Sequence, residues 1–173
     1  DAKKSIDAYY NMGWGTYFAR NNEQAIKRFD QYLKNGGKSK NAERGKAFAL
    51  FRMKKDAEAK PILEAMIQLE DEKKLLPITE VVPIPNTKKQ WTVVYDSRST
   101  LGWLHFRNKD YDQATKYFTE TIDKYPFLID ALTGMGYVKL EQKDKAGAKK
   151  YFQDALKLSP YYPDAKAGLK KAS

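Results

Sequence analysis

Along most of the chain, apolar residues recur every three or four positions. Tyr111, Ala114, Tyr117, Phe118 and Ile122 form one stripe of a helix. The run before them, Leu101 to Phe106, is also apolar at helical period. Between the two lies the polar stretch Arg107-Asn108-Lys109-Asp110, and Glu141-Gln142-Lys143-Asp144 separates a second such pair of runs. The pattern predicts helix, turn, helix. Asp110 and Asp144 stand where a short carboxylate accepts the free N–H groups of a starting helix, and Pro126 and Pro160 stand where a helix must stop. Residues 75–94 break the periodicity. Pro77, Pro83 and Pro85 exclude a continuous helix, and two β-branched runs, Ile78–Val82 and Trp91–Tyr95, predict a hairpin with a Pro-Asn turn.

The helix pairs repeat. Ala25, Ala59, Ala114 and Ala148 are each followed four residues later by a large apolar residue, and their separations are 34, 55 and 34. Twelve residues before each alanine stands another small residue: Gly13, Ala47, Gly102 and Gly136. A small side chain at a helix crossing lets the backbones approach to about 8 Å rather than 10 Å. The middle interval exceeds the others by 21 residues, the length of the predicted hairpin.

The spacing resembles the tetratricopeptide repeat (TPR) family, whose 34-residue pattern runs Leu-Gly, aromatic, Ala, Phe, Pro. Leu101-Gly102, His105, Tyr111, Ala114, Phe118 and Pro126 carry it best, followed by Leu132, Met135-Gly136, Ala148, Phe152, Ala155 and Pro160. Tyr9, Met12-Gly13, Ala25 and Phe29 give a first unit that ends in Gly36-Gly37 in place of Pro. The second unit (Ala47, Ala59, Leu63, Met66) is degenerate, with Asp71 at the Pro position. The resemblance spans about residues 5–73 and 95–161. It implies an all-α fold, an α-solenoid of about four helix-turn-helix repeats in a single domain over 1–173. The repeats fall at about 6–39, 40–73, 95–128 and 129–162, with an insert at about 74–94 and a capping helix at about 163–171.

Some residues recur without being needed for that packing. An aromatic follows each small residue (Trp14, Phe48, Trp103, Tyr137), and Tyr17, Phe51, Phe106 and Leu140 lie three positions further on, on the same helix face. In TPR proteins that face lines a concave groove. The resemblance therefore implies a peptide- or partner-binding surface formed by Tyr10, Trp14, Tyr17, Phe48, Phe51, Trp103, Phe106 and Tyr137, with Arg52 and Arg107 at its edge. Two other readings stay open: the rings are ordinary core, or the insert or a terminal helix covers them. The insert is either a passive loop or one wall of the groove. The family's carboxylate-clamp specificity is not expected. The positions that would carry its Lys and Asn hold Tyr10 and Trp14, Arg44 and Phe48, Ser99 and Trp103, Thr133 and Tyr137.

Composition narrows the chemistry. Cys is absent and His105 is the single histidine among 173 residues, so disulfides, thiolate sites and multi-histidine metal centres are excluded. His105 replaces a core aromatic and reads as packing. Asp110, Asp112 and Glu120 form no framed acid pair, and the Gly13-Trp14-Gly15 and Gly134-Met135-Gly136 glycines lie within predicted helices. No catalytic residue, metal site or cofactor is expected. The net charge of +10 (32 Lys and Arg, 22 Asp and Glu) favours an anionic partner, such as an acidic protein segment. Its even spread disfavours nucleic acid. An anionic-polymer binder and a self-associating structural module remain the alternatives. No apolar run reaches the roughly 20 residues of a spanning helix. The chain opens Asp1-Ala2-Lys3-Lys4 without Met, so either a leader has been removed or this is a piece of something longer; a processed periplasmic or secreted protein is favoured over a cytoplasmic one.

Overall fold

A computed structural model describes residues 2–75, 78–84, 87–88 and 90–173, with backbone alone at 2–5 and 91. The expected Pro-Asn turn at 85–86, the break at Pro77 and the Trp91 ring lie outside the described residues. The chain forms two compact units, 1–76 and 77–173. The first contains α1 (Ala2–Phe18), α2 (Asn22–Lys34), α3 (Lys40–Arg52) and α4 (Asp56–Asp71), each packed on the next, with α1 also against α3. The second opens with the antiparallel hairpin β1 (Ile78–Pro83) and β2 (Gln90–Tyr95), in which Ile78 pairs with Tyr95 and Pro83 with Gln90. Its helices are α5 (Ser97–Arg107), α6 (Tyr111–Lys124), α7 (Ile129–Glu141), α8 (Lys145–Leu158) and α9 (Pro163–Ala172). Consecutive helices pack together, α7 touches both α5 and α9, and β2 lies against α7.

The helix starts follow from short polar side chains. Asn21, Asp96, Asp110 and Asp144 accept the N–H groups of Gln24, Ser99, Gln113 and Gly147. The turn inside each helix pair carries a cation in the left-handed region: Arg20, Lys54, Lys109 and Lys143 have φ of 64°, 60°, 62° and 63°. That conformation costs a residue with a Cβ about 1 kcal/mol. The returning chain stabilises it; for example, the Asp110 N–H donates to the His105 carbonyl at 2.9 Å.

The core is built around rings seated between glycines. A Cβ added at Gly13 or Gly136 would stand 2.5 Å from Phe29 or Phe152, and one at Gly102 would stand 2.6 Å from Phe118. Each of these rings meets a second glycine on the following odd-numbered helix: Phe29 meets Gly45, Phe118 meets Gly134 and Phe152 meets Gly168. The ring fills the crossing from both sides, and all three are fully buried.

Candidate functional site

In the first unit, the expected groove residues largely form its interior. Tyr17 and Phe48 are 2% and 1% exposed, and Trp14 is also buried, with its ring 5.3 Å from Phe29. Tyr10 packs on Tyr32 with centroids 5.4 Å apart, and Phe51 is half-buried. The Arg52 guanidinium lies 3.7 Å over the Tyr17 ring while its Nη1 donates to the Tyr17 carbonyl at 2.8 Å. Arg52 is thereby engaged in packing.

The second unit differs. Trp103 and Phe106 are three residues apart on α5, and Tyr137 comes from α7. All three are half-buried, with centroids 5.6 Å (Trp103–Phe106), 6.0 Å (Trp103–Tyr137) and 6.2 Å (Phe106–Tyr137) apart. Tyr111 adds a fourth ring 5.7 Å from Phe106, and half-buried Arg107 is the residue after Phe106. Near Tyr137, Lys171 Nζ stands 5.5 Å over the ring, and the phenol donates to the Asp164 carbonyl at 3.0 Å.

A polar joint fixes this face, and it was missed in the sequence. Asp130 accepts from Ser99 Oγ at 2.5 Å, Trp103 Nε1 at 2.9 Å and Tyr162 OH at 3.4 Å. One carboxylate therefore connects α5, α7 and the residue that precedes α9. Removal from water pushes the Asp130 carboxyl above the ordinary carboxylate range, against the opposing pull of its three donors. Burial and the neighbouring Asp130 and Asp164 charges push the Tyr162 phenol far up. The signal in the sequence was faint: Ser99 stands four residues before Trp103, and an acid stands at the second position of α7. Neither marks a contact until the helices are stacked.

A second feature is a cleft of about 940 Å³ beside the hairpin. Gln90, Thr92 and Val94 of β2 form one wall, and Phe127, Leu158 and Tyr161, in the turns after α6 and α8 and at the end of α8, form the other. His105 takes no part in either feature. It is buried, its Nδ1 lies 2.9 Å from the Asp110 carboxylate, and its ring stacks on Tyr117. Among the described residues no group of three His, Asp or Glu is placed to hold a metal. Among the same residues no helix is long and apolar enough to cross a membrane.

Residues 99–163 match a tetratricopeptide repeat family model. Among solved structures the chain is similar to pilF of Pseudomonas aeruginosa (TM-score 0.68, 20% identity, covering 99% of this chain and 68% of that one). It is also similar to YrrB, described as a TPR protein with an unusual peptide-binding site (TM-score 0.65, 16% identity, 97% of this chain and 76% of that one). A third similar structure is a thermophilic TPR protein of Thermus thermophilus (TM-score 0.71, 13% identity, 96% of this chain and 80% of that one). No curated protein matches the sequence. The chain has the all-α solenoid fold of tetratricopeptide repeat proteins, and residues 99–163 match that family's sequence pattern. Proteins of this fold generally serve as non-catalytic scaffolds for protein–protein interaction.

Proposed function

We propose that the protein is a non-catalytic interaction scaffold. It holds a peptide or partner segment against the ring face of α5 and α7. The observation that carries this reading is the contiguous, half-buried cluster of Trp103, Phe106 and Tyr137. Rings of this kind offer large contact area with few rotamers to freeze. Trp14, Tyr17 and Phe48 are interior to the first unit and do not meet a ligand as they stand. Arg107, at the edge of the cluster, suits an acidic group on the bound segment.

The test uses the full chain to capture partners, followed by binding measurements on Phe106→Ala and Arg107→Glu proteins with intact helical circular dichroism. Loss of the central ring is expected to weaken binding about tenfold or more. Unchanged affinity in both variants would sink this assignment. Binding that survives 0.5 M salt favours a segment held by rings, whereas release by salt favours an anionic polymer held by the +10 charge.

A further inference from the structure

The hairpin is costly to keep. Two strands alone are marginal in water, and one face of β2 is turned toward open space rather than toward a filled core. Residues two apart on a strand share a face, so Gln90, Thr92 and Val94 look together across the cleft. Opposite them, Phe127, Leu158 and Tyr161 are 60%, 48% and 36% exposed. Large apolar side chains exposed in one place mark an interaction site. The volume, about 940 Å³, is at the upper end of the roughly 300–1,000 Å³ of ligand pockets, room for a stretch of polypeptide.

Charge says what kind of stretch. Lys88 lines the cleft, and no carboxylate does so among the described residues. Its far wall is the joint between α8 and α9. Lys166, exposed on α9, lies 5.3 Å over the Tyr161 ring of that wall. An apolar floor between cationic shoulders complements apolar anchors with acidic flanks. An anionic membrane shares this chemistry, but a bilayer meets only the rim of a concave cleft, whereas a chain segment enters it.

We propose that this cleft is a second docking site, separate from the ring face, for a short partner segment with apolar anchors and acidic flanks. Random twelve-residue peptides displayed on phage, selected on the full chain, test it. Leu158→Glu and Phe127→Glu serve as cleft variants. Both positions are exposed, so the charge leaves the fold intact, which circular dichroism checks. Enriched peptides are expected to pair large apolar residues with Asp or Glu, and to lose about tenfold or more affinity on either variant. They should also weaken severalfold on Lys88→Glu and keep full affinity for Phe106→Ala protein, so that this site and the ring face fail independently. Three results would overturn the proposal: no enrichment, enrichment without acidic bias, or enriched peptides that bind both cleft variants like the original chain. Phosphatidylserine vesicles as a parallel probe, bound by the original chain and released by the same variants while peptides are not selected, would reassign the surface to a membrane.

Discussion

At the scale of single residues, glycines decide how closely the helices approach. Phe118 fills the crossing only because Gly102 and Gly134 carry no Cβ. At Gly134 a methyl group would overlap the ring, which cannot retreat because Gly102 holds its other side. Gly134→Ala is therefore expected to lose about 1–2 kcal/mol in denaturant unfolding, the cost of overpacking exceeding the gain in helix propensity. Gly15 on α1 has nothing within 4 Å of an added Cβ, so Gly15→Ala should gain up to about 1 kcal/mol. Equal effects at both positions would contradict this account. The first glycine of each seat was legible as the small residue twelve positions before the repeat alanine. The second was present in the sequence, sixteen residues after each of Phe29, Phe118 and Phe152, but its meaning depends on which helix lies behind the ring.

At the scale of elements, the predicted helix pairs are present, and the caps at Asp110 and Asp144 bond as their spacing foretold. Helix starts are local, so the pattern of polar and apolar residues suffices to find them. The joint among elements was not legible. Asp130 draws together Ser99, Trp103 and Tyr162, residues up to 63 apart (162 − 99) in the chain. Its raised pKa has a measurable consequence. Folding favours its protonated form, so its contribution to stability is full below the ordinary carboxylate pKa of about 4 and is lost as pH rises through the higher folded-state value. Asp130→Asn removes that loss while its amide can still accept from Trp103 and bond Ser99. Between pH 4 and 7 the melting temperature of the original chain should fall relative to that of the variant; parallel curves would rule out the desolvated carboxyl.

At the scale of the molecule, the second glycine of each seat lies on α3, α7 or α9, inside the same unit as its ring. Where α3, α7 and α9 have Gly45, Gly134 and Gly168, α1 has Asn11 and α5 has Thr100. Residues 77–173 contain their own buried clusters around Phe118 and Phe152. Expressed alone, they are expected to be helical and to melt in one cooperative transition; a featureless spectrum would show that their core is incomplete. The sequence by itself determined the repeat period, the position of the insert, the all-α class and the exclusion of thiol and multi-histidine chemistry, because these depend on spacing and composition. Tertiary structure decided which rings stay at the surface. Trp14 and Trp103 occupy matching places in their repeats, yet one is closed over and the other half open. Helical period assigns a side chain to a face, but solvent reaches that face only where the neighbouring elements leave it uncovered.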